Sequence, residues 1–256
     1  PEYQHTWSGK TFFSQVRLDP LGKAQAEEML AFLLGDVGGA TSQSPLHQFI
    51  LEKTEGNPFF MEEIVQTLRE QGLLRIEVRG RMLLPTDLRI PATVQGVLAA
   101  RIDRLPPDEK ALLQTLAVIG KEFSLRLLKY VVDQPEDDLL RQLARLQASE
   151  FIYERPAFPD IEYTFKHALT QEVAYNSLLI ERRKTVHQRA AKALEDLYRY
   201  KLDDRYSELA HHYSRSGDTQ KAVDYLQLAG QQAAQQSAYE EAITHLTAAL
   251  ELLAAL

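Results

Sequence analysis

The chain has 256 residues, 45% of them hydrophobic and 25% charged, and its formal net charge is −7. This length predicts two or three small domains rather than one core. The acidic balance argues against a surface that coats nucleic acid, and the absence of cysteine excludes disulfides and thiolate chemistry while fitting a cytoplasmic location. No apolar run approaches the roughly 20 residues that span a bilayer, so we expect no membrane contact.

The first residues contain Gly9-Lys10-Thr11, which looks like the end of a phosphate-binding loop. That motif needs a glycine five residues before Gly9, and Gln4 stands there instead. A buried strand should also precede the motif, whereas a few polar residues do, and residues 12–18 have the pattern of a strand. We therefore expect no phosphate loop in this sequence, and no catalytic residue or metal ligand.

Residues 21–105 predict a helical lid that contains a small β-hairpin. Apolar spacing and turn residues predict helices over 21–34, 45–53 and 58–71, the hairpin over 73–85, and a further helix from Pro91 to Leu105. Arg101 and Arg104 lie on that last helix. We interpret both as part of a solvated helix face rather than as phosphate ligands.

A tight corner joins the second and third of these helices at Gly56, Asn57 and Pro58. Glycine tolerates the left-handed conformation in which helices often end. Asparagine is a favoured N-cap, and proline at the first helical position loses no hydrogen bond. Local chemistry alone therefore predicts a helix–turn–helix corner here.

Pro106-Pro107 marks a boundary, after which residues 106–169 predict three helices and then two strands, the order of a winged helix. The strands are predicted over 151–154 and 161–166. The third helix opens on three consecutive acids, Glu136, Asp137 and Asp138. Their charge opposes insertion between phosphate backbones, so we expect no direct contact with nucleic acid.

Residues 170–204 predict linker helices, in the form of a nearly continuous helix that bends near Ile180. Leu178 and Leu179 belong to its predicted apolar stripe. The basic run Arg182-Arg183-Lys184 is interpreted as a solvated face or as a partner for acids of the same chain.

Residues 205–256 contain a repeat, because Gly217-x-Thr219-x-x-Ala222 recurs twenty residues later as Ser237-x-Tyr239-x-x-Ala242. The spacing equals one helix and a turn, which predicts successive helices of an α-superhelical array. The pattern resembles the start of tetratricopeptide repeats. The predicted fold is therefore mainly α: a lid, a winged helix and tetratricopeptide-like helices.

The segment TEGNPFFMEEIVQTLREQGLL, which contains the corner, resembles the Gly-x-Pro corner of the STAND-type signalling ATPases, P-loop proteins with helical sensor arms. The closest resemblance is to the bacterial branch that carries or accompanies class III adenylate/guanylate cyclases. PEYQHTW is similar to the segment after the last catalytic strands of that ATPase core. The resemblance implies that residues 1–20 end the core, that the phosphate loop and magnesium-binding strand precede residue 1, and that the sequence is a fragment.

The segment FKHALTQEVAYNSL resembles the region after the wing in nucleotide-switch ATPases, where a histidine–acid–leucine triplet is common. His167 aligns with the histidine and Leu169 with the leucine, but Ala168 stands in the acid's place. The resemblance implies that Gly56, Asn57, Pro58 and His167 bind the cofactor, ATP or ADP, with magnesium supplied through the core. A histidine after a strand is also a common structural residue, and that alternative stays open.

The resemblance implies a nucleotide-sensing arm that is not catalytic alone, whose parent is an ATPase. Its repeats would pass the nucleotide state to a protein partner or a linked cyclase, and its lid would face the ATPase core of the same protein. Two alternatives remain at this stage. One is a helical protein-interaction scaffold without a nucleotide role, and the other is a transcription regulator of the LuxR-like ATPase type.

Overall fold

The computed structural model describes residues 19–35, 45–75, 77–78, 81–82, 90–157 and 160–254, and the chain is mainly helical. The predictions for residues 1–18 lie outside the described residues. The chain divides into two compact units, residues 1–97 and 98–256. This division falls a few residues before the boundary that the sequence predicts after Leu105, and it lies within a single helix, Val94–Arg104.

Three helices pack together in the first unit: α1 (Lys23–Leu34), α2 (Pro45–Thr54) and α3 (Pro58–Glu70). Their contact is apolar, with Leu30, Ile50 and Ile64 fully buried. Burial of such side chains stabilises the fold by roughly 1.5–3 kcal/mol each. These helices agree with the three helices predicted from the sequence to within a residue or two, 21–34, 45–53 and 58–71.

The described residues of the predicted hairpin include two short paired strands and one segment that is not a strand. Strands β1 (Glu77–Val78) and β2 (Arg81–Met82) pair antiparallel, whereas Leu73–Arg75 form a 3-10 turn. The prediction of a strand from Leu73 was wrong because Leu74 is drawn into the helical core, where it is buried.

Helix α4 (Val94–Arg104) begins three positions later than the proline that was expected to open it. Thr93 sets the start, since its side-chain oxygen accepts a bond from Gly96 N at 3.1 Å and its carbonyl accepts one from Val97 N at 3.0 Å. Hydroxyl side chains commonly begin helices in this way.

Three helices and a small sheet open the second unit. They are α5 (Pro107–Ile119), α6 (Leu125–Val131), α7 (Glu136–Ala148), β3 (Glu122–Ser124), β4 (Ile152–Arg155) and β5 (Glu162–Phe165). The sheet is antiparallel with β5 in the centre, Glu122 opposite Thr164 on one side and Ile152 opposite Phe165 on the other. β3 is not predicted from the sequence, because three residues are too few to establish an alternating pattern.

The predicted linker helix is two helices, α8 (Ala168–Asn176) and α9 (Ile180–Leu197). The expectation of near-continuity was wrong because Leu178 turns inward against Val118 and Val186, which breaks the helical path. Leu179 then has extended backbone and is 80% exposed, so it does not belong to the apolar stripe.

Three further helices, α10 (Tyr206–Ser216), α11 (Thr219–Gln235) and α12 (Tyr239–Ala254), pack one on the next, and α10 packs on α9. Gly217 and Ser237, twenty residues apart, both adopt left-handed conformations, with φ of 88° and 61°. The sequence repeat is therefore a repeated inter-helix turn, which confirms the prediction of successive helices. In the described part of the chain, none of the helices has the length and apolar character to cross a bilayer.

Candidate functional site

Gly56, at the predicted corner, is held by a close backbone contact with Leu21, two residues before the start of α1. Its carbonyl oxygen accepts a hydrogen bond from Leu21 N at 2.8 Å. Gly56 has φ of +77°, and a Cβ at this position would lie 2.4 Å from the carbonyl oxygen of Leu21. No other residue type fits both the backbone conformation and the space. The corner is therefore held by its backbone against the segment that leads into α1.

Asn57 and Pro58 complete the corner as the start of α3. The Asn57 side chain accepts a bond from Phe60 N at 3.0 Å, which confirms the predicted N-cap. Pro58 occupies the first turn of the helix, where its missing N–H costs no bond. Both side chains are exposed. They have a local structural role and also lie at the surface of the first unit.

His167 is the N-cap of α8, directly after strand β5. Its Nδ1 accepts a hydrogen bond from Leu169 N at 3.2 Å, and its ring is exposed. Because Nδ1 accepts, the neutral ring carries its proton on Nε2, an assignment that follows from the hydrogen-bond pattern. Ala168, which aligns with the acid of the resembling ATPases, is the first residue of the helix.

The four predicted site residues belong to different compact units. Gly56, Asn57 and Pro58 lie in residues 1–97, and His167 lies in residues 98–256. The structure thus describes each half of the predicted nucleotide clamp by itself.

A hydrogen-bonded chain of three side chains, which the sequence analysis missed, connects α8 to α10 through α9. The hydroxyl of Tyr175 lies 3.1 Å from Nε2 of His187, and Nδ1 of His187 lies 2.9 Å from Nδ1 of His212. Both histidine rings are fully buried. The available sequence signal was a histidine at a position of α9 whose helical neighbours Ala190 and Ala191 are apolar.

Both buried histidines are neutral at ordinary pH. Burial is the main cause that lowers the pKa of His187 to about 3, and His212 adds to the effect. Burial and the neighbouring His211 and Arg215 likewise lower the pKa of His212 to about 3. A neutral imidazole has one donor and one acceptor nitrogen, so one Nδ1 of the pair donates to the other. The donor or acceptor role of each nitrogen in these two bonds is then set by the role of its partner.

Arg183 supports the same chain from the start of α9. Its guanidinium lies 4.1 Å from the ring centroid of Tyr175, and its Nη2 donates to the carbonyl of Leu178 at 3.2 Å. In the same basic run, Lys184 pairs with Glu181 at 3.0 Å, as the interpretation of intramolecular partners expects. Arg183 therefore fixes the ring whose hydroxyl begins the chain.

A second polar network joins α9 to α10 and α11. The Lys221 ammonium lies 2.8 Å from both carboxylate oxygens of Glu195 and 2.9 Å from the hydroxyl of Tyr213, and Tyr225 donates to Glu195 at 2.8 Å. Burial opposes the charged form of Glu195, but the bonds from Lys221 and Tyr225 outweigh it and lower the carboxyl pKa. Burial raises the pKa of Tyr213 to about 12. The ion pair and the phenols therefore stay in these protonation states through the physiological range.

Arg101 also departs from its prediction as a solvated residue. It is 2% exposed, its Nη2 donates to the carbonyl of Ser149 at 2.6 Å, and its guanidinium lies 4.6 Å from the ring centroid of Phe151. The interpretation of a solvated face was wrong for Arg101 because the turn after α7 covers it. Arg104 is exposed, as expected.

Comparison with known proteins gives two matches. A family described as a domain of unknown function, DUF8739, matches residues 22–79, which include α1 to α3 and the Gly56 corner. The uncharacterized protein R02095 of Rhizobium meliloti (strain 1021) is 25% identical over 264 residues, a match that covers 98% of this chain and 24% of that protein. The chain thus spans about a quarter of the length of the curated relative that it matches. The first match encloses the corner and ends before His167.

Proposed function

We propose that this chain is the nucleotide-sensing and signal-relay arm of a STAND-type ATPase, of the type associated with bacterial adenylate/guanylate cyclases. In this proposal residues 21–105 are the lid, residues 106–169 a winged helix, and residues 205–256 the start of tetratricopeptide-like repeats. The observation that carries it is the buried chain from Tyr175 through His187 to His212. This chain connects the helix that His167 begins to the first helix of the repeats.

Gly56, Asn57 and Pro58 would contact the base side of ATP or ADP, and His167 its phosphates. The phosphate charge of the bound nucleotide would differ between ATP and ADP. Magnesium would be held by the core. His167 would donate Nε2–H to a phosphate oxygen, a bond to a charged acceptor. Because Nδ1 is already bonded to Leu169 N, the ring is oriented before a ligand arrives.

A displacement of α8 would then reach the repeats through buried hydrogen bonds. Tyr175 lies on α8, its partner His187 on α9, and His212 on α10. Such a relay needs nucleotide to bind two arrangements of the arm with different affinities. The network of Lys221 and Glu195 extends the connection to α11.

Proteins are the partners that these surfaces favour. The outer side of α12 carries five exposed apolar residues at alternating spacings of four and three: Tyr239, Ile243, Leu246, Leu250 and Leu253. A continuous apolar stripe of this kind is typical of a protein-binding helix face. The charges of α7 argue against DNA, since Arg145 pairs with Glu109 at 2.9 Å and Arg141 pairs with Asp138.

The helical scaffold without a nucleotide role is the second candidate, because one specific observation favours it. Gly56, Asn57 and His167 each have a complete local role, as a close backbone contact and as two N-caps. Those roles explain the residues without any ligand. An experiment must therefore separate capping from nucleotide binding.

The test measures ATP and ADP affinity by calorimetry in a longer protein that includes an upstream phosphate loop. His167→Asn is the informative variant, because asparagine preserves the N-cap while it removes the imidazole. We expect ADP to bind roughly tenfold more weakly to this variant, the loss expected for a charge-assisted hydrogen bond. Asn57→Ser is the corresponding variant at the corner, because serine also preserves the N-cap while it removes the asparagine side chain. Unchanged ADP affinity in His167→Asn would favour the scaffold.

The relay is tested separately by hydrogen exchange. In the same longer protein, ADP should change amide protection in α10, and Tyr175→Phe should abolish that change while ADP affinity is retained. Tyr153→Phe, an exposed phenol of β4, is the control. Equal protection changes in both variants would contradict the path through Tyr175.

A further inference from the structure

A crevice of about 400 Å³ lies where the end of α5, helix α8 and helix α10 meet. Its volume is within the range of about 300–1,000 Å³ typical of small-molecule sites. Ala117 and Val118 form an apolar, buried part of its lining. The polar lining consists of Lys121, Gln171, Glu172, Tyr175, His211 and Arg215.

Positively charged side chains outnumber negatively charged ones in the lining of this crevice. Lys121 and Arg215 are exposed, and among the described residues neither has a carboxylate within ion-pair distance. By contrast, Lys110, Lys129 and Lys221 of the same unit each have a carboxylate within 3 Å. Glu172 is the one acid in the lining. Two cations and one acid on a concave surface leave an excess of positive charge, which attracts anions.

His211, whose ring is oriented by Arg215, adds a third hydrogen-bond donor to the crevice. Its Nη1 lies 3.1 Å from Nδ1 of His211 and 3.3 Å from the carbonyl oxygen of that residue. A guanidinium only donates, so Nδ1 of His211 accepts and the ring proton lies on Nε2. Burial, followed by the charge of Arg215, lowers the pKa of His211, which agrees with a neutral ring.

One wall of the crevice is rigid before any ligand binds. Tyr175 is held by Arg183, 4.1 Å from its ring centroid, and by His187, 3.1 Å from its hydroxyl. Gln171 is held as well, because its Nε2 donates to the carbonyl of Ala117 at 3.1 Å. A preformed wall lowers the entropy lost on binding.

We infer that this crevice binds a small organic anion, with its phosphate or carboxylate group held by Lys121 and Arg215 and its organic part against Ala117, Val118 and Tyr175. Such a ligand would bridge the α5–β3 turn, α8 and α10, and would stabilise their arrangement. The inference does not depend on the proposed nucleotide contact at His167, although Ala168, the next residue along the chain, also lines the crevice. A ligand in this crevice would contact α8 and α10, two of the three helices that the proposed relay joins.

The test uses the 256-residue chain and calorimetric titration with three probes at low salt: inorganic phosphate, pyrophosphate and malonate. We expect saturable binding of at least one probe, and which probe binds distinguishes phosphate from carboxylate ligands. The affinity should fall as ionic strength rises, because exposed cations are screened. Lys121→Ala and Arg215→Gln should each weaken binding roughly tenfold. Arg215→Lys should retain more affinity than Arg215→Gln, because it keeps the charge.

Arg126→Ala, which removes an exposed arginine of α6 outside the crevice, is the matched control and should leave the affinity unchanged. Failure of all three probes to bind would overturn the inference. An equal loss in Arg126→Ala and Arg215→Gln would overturn it as well, because binding would then be a general effect of surface charge.

Discussion

Nδ1 of His187 lies 2.9 Å from Nδ1 of His212, and both rings are fully buried between α9 and α10. This bond requires one nitrogen to carry a proton and the other to offer a lone pair. If both rings were charged, two N–H groups would face each other at that distance without water. The packing of α9 on α10 at this position therefore requires neutral histidines.

As pH is lowered, the second unit should lose stability at pH values above those at which most carboxylates become protonated. The pKa of both His187 and His212 falls from about 6.5 in the unfolded chain to about 3 in the folded one. Between these values the unfolded state binds more protons, so the free energy of unfolding decreases as pH falls. The stabilisation is fully present above pH 6.5 and is lost toward pH 3, by on the order of 1 kcal/mol per pH unit for each histidine.

Urea unfolding measured from pH 7.5 to pH 4.5 tests this expectation. His212→Gln removes one titrating ring and should make the curve less steep over that interval. A stability that does not change between pH 7 and pH 5 would contradict the neutral pair.

Removal of one hydroxyl should weaken the same junction. Tyr175→Phe leaves Nε2 of His187 buried without the partner that it has at 3.1 Å. An unsatisfied buried polar atom costs about 1–3 kcal/mol, and we expect a loss of unfolding free energy in this range. Tyr153→Phe, at an exposed position of β4, should change stability by less than about 0.5 kcal/mol. Equal effects of the two substitutions in denaturant titrations would exclude a special role for the Tyr175 hydroxyl.

Gly56→Ala should be much more damaging than alanine at another left-handed glycine. Its Cβ would lie 2.4 Å from the backbone oxygen of Leu21, whereas Gly217, with φ of +88°, has no heavy atom within 4 Å of a built Cβ. Gly217→Ala therefore carries only the backbone strain, about 1 kcal/mol. Gly56→Ala adds a backbone clash, and we expect it to cost at least about 2 kcal/mol more. Equal losses of thermal stability in the two variants would show that the corner can move away from Leu21 and relieve the clash.

Two arginines of α4 three residues apart should respond differently to truncation. Arg101 is buried, donates to Ser149 and lies over Phe151, while Arg104 is exposed. Arg101→Ala should cost roughly 3 kcal/mol, because it removes a buried charged group together with its packing and hydrogen bonds. Arg104→Ala should change the unfolding free energy by less than about 0.5 kcal/mol. Chemical denaturation of both variants checks the difference, and a small effect of Arg101→Ala would mean that its site relaxes or admits water.

Short-range features of this fold were readable from the sequence. The cap by Asn57 and the repeated turn at Gly217 and Ser237 were both expected, and the structure has them. In each, the interacting atoms are within a few residues of one another, or the backbone conformation belongs to one residue. Residue type and spacing therefore carry the information.

The features of the candidate site that sequence reasoning missed all join distant parts of the chain. His187 and His212 are 25 residues apart, and Arg101 and Ser149 are 48 apart. The break before α9 likewise occurs because Leu178 finds Val118 and Val186 in the core.

The sequence by itself thus determined the order of the helices, their caps and the repeated turn. Only the tertiary structure decided which polar side chains are buried, and it paired His187 with His212. The physical reason is that the burial of an imidazole or a guanidinium is acceptable only where a partner from another helix satisfies it. That partner is chosen by the packing of the helices and not by the residues beside it in the chain.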